Sequence, residues 1–176
     1  MAKLFFDEIL WQWRPEPLSL RRAQLIQGGA TVSVNGIDEQ APVISRHTTV
    51  IAAPIGTLWR LHTDVDAWPS WQKAIDRAHL QGGFRPGATF TWETYNLTIS
   101  STVYQVEPQR HTLWGGPSED ITGIHSWTFT LVDGGVRVDT EESWSGTPVS
   151  ADVAGMQTAL DGSLKAWLDY LRVAAE

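Results

Sequence analysis

The sequence contains no cysteine. That removes disulfide frameworks, zinc ribbons and thiolate nucleophiles from consideration. Nor does any stretch reach the roughly 20 apolar residues of a membrane-spanning helix. The apolar residues near the start are broken by Asp7 and Glu8, unlike the unbroken core of a secretory signal. Positive charge is scarce too: 13 Lys and Arg stand against 20 Asp and Glu, for a net charge of −7. A nucleic-acid binder needs a basic face instead. These deficits predict a soluble cytoplasmic protein with no nucleic-acid partner and no membrane insertion. What the chain holds in excess is tryptophan, ten among 176 residues. Each indole is a large flat apolar surface with one hydrogen-bond donor. Ten of them must fill a core or line something. The length suits one domain, able to bury about 70% of its unfolded surface.

Residues 3–13 have the pattern of a short amphipathic helix, ended by Pro15 and Pro17. Residues 18–27 suggest a second, stopped by Gly28-Gly29. A Val32/Val34 alternation and an Asn35-Gly36 turn signal follow. Residues 1–43 are therefore an expected N-terminal extension, and 44–176 the expected main domain. The apolar side chains Phe5, Phe6, Leu10 and Trp13 suit packing on the outside of a sheet, on a partner subunit, or over a cavity mouth. A monomer and a homodimer both fit.

From 44 onward the pattern is regular. Ile44 to Ala52 reads as a strand, rich in Thr and Val. Pro54 opens a helix carrying Leu58, Trp59 and Leu61. A second short helix is expected over 66–76. Strands are expected at 77–82, 87–95, 97–106, 110–115, 122–132 and 136–146. One long helix, about 150–174, closes the chain, with Val153, Met156, Leu160, Leu164, Trp167, Leu168 and Leu171 on one stripe. Ser150 is its expected N-cap. This order is α+β: an antiparallel meander gripped on one face by one long helix, with an interior between them.

Hairpin geometry assigns the faces. A two-residue Tyr95-Asn96 turn pairs Trp92 with Ile99 and Phe90 with Ser101. Those four, with Thr94, Leu97 and Val103, share the inward face, because the other face is almost all Thr, Ser and Glu. A Gly134-Gly135 turn pairs Leu131 with Val138, Phe129 with Thr140, Trp127 with Glu142 and His125 with Trp144. His125 and Glu142 then lie diagonally on the inward face, roughly 5–8 Å apart at their bases. Burial raises the pKa of such a carboxyl, and a neighbouring carboxylate favours a charged histidine. The pair is expected to exchange protons near neutral pH.

Other signals carry less. His62, Asp64 and Asp66 follow no ligand spacing and read as solvated residues at a helix end, so no metal is expected. The Gly-Gly pairs sit in turns, not between a strand and a helix as a phosphate loop would. The serines lack the context of a hydrolase nucleophile.

Several segments resemble a known family. Ile51-Ala52-Ala53-Pro54 before Leu58-Trp59 is similar to the strand-to-helix entry of the START-like, or SRPBCC, superfamily. Asp64 followed by Trp68-Pro69-Ser70-Trp71 is similar to its "D…WPxW" segment. Phe90-Thr91-Trp92, Val106-Glu107-Pro108, Leu113-Trp114-Gly115, His125-Ser126-Trp127-Thr128-Phe129 and Thr140-Glu141-Glu142-Ser143-Trp144-Ser145-Gly146 resemble successive strands of its polyketide cyclase/dehydrase branch. The resemblance covers about 44–174 and implies the helix-grip fold, a bent sheet wrapped around the last helix over a hydrophobic cavity. It also implies a cofactor-independent cyclase or dehydratase acting on a hydrophobic, polycyclic or polyene substrate. His125 and Glu142 would be the acid–base residues. Trp92, Trp127, Trp144, Phe90, Ile99, Phe129, Met156 and Leu160 would line the pocket, with Thr94 and Ser101 hydrogen-bonding a carbonyl. The same superfamily holds non-catalytic carriers and sensors of hydrophobic ligands, and that alternative stays open.

Overall fold

A computed structural model of the protein describes residues 34–176. The helices expected over 3–13 and 18–27 lie outside the described residues. Strand β1 spans Val43–Ile51. Helix α1 (Ile55–Thr63) follows, then a 3-10 turn (Val65–Ala67) and helix α2 (Trp68–Trp71). Strands β2 (Ile75–Leu80), β3 (Thr89–Thr94), β4 (Leu97–Glu107), β5 (His111–Ser118), β6 (Ile121–Val132) and β7 (Gly135–Gly146) come next. Helices α3 (Thr147–Ala151) and α4 (Val153–Ala175) end the chain. The sheet has seven strands in the order β1-β7-β6-β5-β4-β3-β2, antiparallel throughout. The expected helix-grip architecture is what forms.

Three local expectations are corrected. The helix expected to reach residue 76 stops at Trp71, because Gln72 is extended (φ −90°, ψ 101°) and its side chain accepts from the Ala74 amide at 3.0 Å. The long helix is capped by Asp152, not Ser150. Pro148 nucleates the separate turn α3, Asp152 then leaves helical geometry, and its carboxylate accepts from Gly155 N at 2.9 Å. The β6–β7 turn is Asp133-Gly134, so Trp127 faces Thr140 and His125 faces Glu142 directly. Gly134 carries the left-handed φ of 86°, while Gly135 belongs to the strand, where a Cβ would collide with the Ile51 carbonyl. The slip is two residues, so every side chain keeps its face. Leu131, near the hairpin end, is nevertheless 69% exposed. The β3–β4 register is as expected, with Tyr95 and Asn96 both at positive φ (48° and 63°).

The larger core cluster is aromatic. Trp68 packs edge-on against Phe90 (centroids 5.4 Å apart) and Trp167 (5.2 Å), and donates its indole N–H to the His62 carbonyl at 3.0 Å. Burying indoles supplies both area and directional ring contacts. A smaller cluster joins Val43, Val149, Met156, Leu160 and Leu164, with Ile121 and Trp144 against it. Polar bonds lock α4 to the edge strand β1: Gln157 Nε2 donates to the Ile44 carbonyl at 2.9 Å, and Ser45 Oγ donates to Asp161. On the opposite, outer face the segment before β1 is tied down twice. Gln105 donates to the Val34 carbonyl at 3.1 Å, and the Asp38 amide donates to Ser143 Oγ at 2.9 Å.

Candidate functional site

A cavity of about 160 Å³ opens between the two core clusters, walled by β3–β7 on one side and α4 on the other. That is close to the roughly 150 Å³ that holds one benzene ring, less than a polycycle needs. Of the expected lining residues, Trp92, Thr94, Ile99, Ser101, Trp144 and Met156 border it, together with His125 and Glu142. Phe90, Trp127, Phe129 and Leu160 point inward but lie in packed core, each 2% exposed or less. Phe90 is taken up by Trp68 and Trp114; for Trp127 and Phe129 the reason is His62. Its ring fills the space over Trp127 (centroids 4.8 Å) and Phe129 (5.5 Å), so that end of the interior is solid. Leu160 is taken up by the smaller cluster.

His62 itself corrects the expectation of a solvated residue. It is fully buried, bonded to Thr112 Oγ1 at 2.8 Å, and burial pushes its pKa down to about 3. The signal was the spacing: His62 follows Leu58 by four residues, on the same helical face. Trp114 and Trp167 both line the cavity. So do the cross-strand partners Gly116 and Gly123, and the missing side chain of Gly123 leaves room beside Glu142. A Cβ on Gly123 would stand 3.4 Å from Glu142 Oε1.

The acid–base pair is tightly framed. His125 is 2% exposed and lies between Trp114 (centroids 4.7 Å) and Trp127 (5.1 Å). Its Nε2 shares a hydrogen bond with Thr140 Oγ1 at 2.7 Å, and its Nδ1 stands 3.5 Å from Glu142 Oε2. Glu142 Oε1 accepts from the Trp144 indole N–H at 2.7 Å. Burial pushes the Glu142 carboxyl up to about 7, against the opposing pull of Trp144. The expectation of a charged histidine is reversed: burial first, and His62 second, hold His125 well below the usual histidine range. Desolvation of both groups outweighs their mutual attraction, so near neutral pH the pair is an uncharged imidazole beside a half-titrated carboxyl.

The hydroxyls differ in what they offer. Ser101 Oγ accepts from Trp92 Nε1 at 3.1 Å, which leaves its own proton to donate into the cavity. Thr94 Oγ1 donates to the Ala74 carbonyl at 2.7 Å, so towards a ligand it can only accept. Among the described residues, no group of three or more His, Asp or Glu is placed to hold a metal ion. No helix among them is long and apolar enough to cross a membrane.

Comparison with known proteins fits this geometry. The family described as "polyketide cyclase / dehydrase and lipid transport" matches residues 42–176. No curated protein matches the chain. Among solved structures, the protein jhp0584 of Helicobacter pylori superposes with a TM-score of 0.72 at 20% identity, covering 84% of this chain and 100% of that one. A START superfamily protein of Mycobacterium smegmatis gives 0.64 at 12% identity, over 75% and 96%. The di-domain ARO/CYC protein StfQ of the steffimycin biosynthetic pathway gives 0.62 at 14% identity, over 76% of this chain and 50% of that one. At such identities these likenesses establish the fold.

Proposed function

Because the chain belongs to the polyketide cyclase / dehydrase and lipid transport family, we propose that it binds a hydrophobic small molecule in the cavity and catalyses its cyclisation or dehydration by proton transfer at Glu142. The observation that carries this reading is a carboxyl with a pKa of about 7 in the wall of an aromatic cavity. A general base or acid works best with a pKa near the working pH. As carboxylate, Glu142 takes a proton from a carbon beside a carbonyl. In a cyclisation the resulting enolate closes on a second carbonyl, and the new alkoxide takes the proton back. In a dehydration the same proton goes to the β-hydroxyl, which leaves as water. His125 is a positioning residue, with its ring held by Thr140 and packed between tilted indoles. Ser101 donates to the carbonyl oxygen where negative charge builds. The cavity walls hold the reacting chain folded, which lowers the entropic part of the barrier.

A carrier without turnover is the second reading, favoured by the neutrality of His125, which leaves Glu142 alone for proton work. A short poly-β-ketone offered to wild type and to Glu142→Gln separates the two. Turnover lost with binding kept supports the enzyme. Binding without turnover in both supports the carrier, and turnover unchanged in Glu142→Gln overturns the assignment of Glu142.

A further inference from the structure

The cavity is one-sided in charge. Among the described residues around it, the ionisable side chains are Glu142 and His125 in the wall, Glu119 in the β5–β6 turn and Tyr95 in the β3–β4 turn; none is Lys or Arg. Its walls are largely aromatic. Trp92 and Trp114 stand with centroids 6.1 Å apart and planes at 89°, so two indoles meet at a right angle beside the cavity. Trp144 and Trp167 border it as well. The face of an indole is its negative side and its N–H edge the positive one; the Trp144 N–H is spent on Glu142 and the Trp92 N–H on Ser101, while the buried Trp114 N–H has no hydrogen-bond partner.

Three ligand classes fare differently here. An anion meets two carboxyls and no cation. A neutral hydrocarbon gains burial alone and leaves Glu142 in its protonated, uncharged form. A cation gains from the indole faces and from the carboxylate together. Room for about one ring, at 160 Å³, sets the size of the ligand's body.

We propose that the ligand of this cavity is an organic cation about one ring in size, a protonated or quaternary amine, with its nitrogen at Glu142 and its apolar body against Trp92 and Trp114. This rests on the ligand-cavity reading above and names the ligand's polar end. For a protonated amine it also names the first proton moved. The ammonium N–H bond breaks, the Glu142 O–H bond forms, and the nitrogen keeps its electron pair, free to attack a carbonyl.

The test uses the full chain and three one-ring probes, phenyltrimethylammonium, its neutral isostere tert-butylbenzene, and the anion benzoate, titrated by tryptophan fluorescence and calorimetry. The cation is expected to bind about tenfold or more tightly than tert-butylbenzene, with benzoate weakest. Glu142→Gln is expected to lower cation affinity about tenfold while leaving tert-butylbenzene within about twofold. A wild-type arm needs no variant. Phenyltrimethylammonium has no proton to lose, so its affinity should rise between pH 6 and pH 8 as Glu142 ionises. The titratable group facing Glu142 across the sheet is His125, and Glu119 lies at the β5–β6 turn; the residues that α4 contributes, Met156, Ala159, Ser163 and Trp167, do not ionise. Should tert-butylbenzene bind as tightly as the cation, or the cation bind Glu142→Gln unchanged, the amine proposal falls and the ligand cavity stands. Should no probe bind, both fall.

Discussion

His125 and Glu142 face each other directly across β6 and β7, with Nδ1 3.5 Å from Oε2, yet the pair is not a charged one. Burial favours the neutral form on both sides. Only Glu142 therefore changes charge near neutral pH, and the proton chemistry of the site is expected to belong to one residue.

The first prediction concerns rate. If Glu142 is the base, kcat/KM should rise with pH along a single ionisation near pH 7. Glu142→Gln should lower turnover about 100-fold or more, with circular dichroism unchanged. His125→Asn should move the midpoint of the pH profile more than its height, since His125 acts through Glu142.

The second concerns stability. The folded pKa of Glu142 is raised from 4.5 to about 7, so the native state holds a proton that the unfolded state releases. Stability from this group is present below about pH 4.5 and is lost as pH rises to about 7. Glu142→Gln lacks that loss. Its stability relative to wild type should climb across this window by roughly 2–3 kcal/mol in urea titrations.

For His62 the sign reverses. Its folded pKa lies at about 3, below the ordinary 6.5, so the unfolded chain takes up the proton first. Stability should fall as pH drops from 6.5 towards 3, and His125 adds a loss of the same sign. His62→Gln should flatten this acid limb in the same urea titrations. An unaltered slope would contradict the burial of His62.

Two glycines give contrasting outcomes. Gly123 has ordinary backbone geometry, and an added Cβ meets only side-chain atoms, at 3.4–3.5 Å. Gly123→Val should keep the fold, with a change in Tm of about 5 °C or less, while weakening any cavity ligand at least tenfold. Gly135→Ala should do the opposite. Its Cβ would strike the Ile51 carbonyl, and its φ of 151° suits glycine. A loss of roughly 3 kcal/mol or more is expected, with no direct effect on the cavity.

Much of this arrangement could be read in the chain. Alternation placed His125 and Glu142 on the inward face even though their pairing was offset by two residues, because a two-residue slip preserves faces. Thr94 and Leu97 fixed the β3–β4 register through a turn that only one spacing satisfies. What alternation could not show is which inward aromatics border empty space. Trp127 and Trp144 look alike in sequence. One lies under His62 of α1 and the other pairs across the sheet with Gly123, so the difference comes from what each ring meets and not from the alternation itself. The ionisation of His125 was also out of reach, since it depends on how completely Trp114 and Trp127 exclude water from the ring.

Ser143 holds the Asp38 amide on the outside of the sheet, while its chain neighbours Glu142 and Trp144 border the cavity on the inside. The wall between the two compartments is a single peptide strand thick. An environment-sensitive dye on residue 38 would sit clear of any ligand yet share a hydrogen-bonded strand with the carboxyl that meets it. That separation of listening post from binding chamber makes the protein a ready scaffold for an optical sensor of whatever the cavity takes.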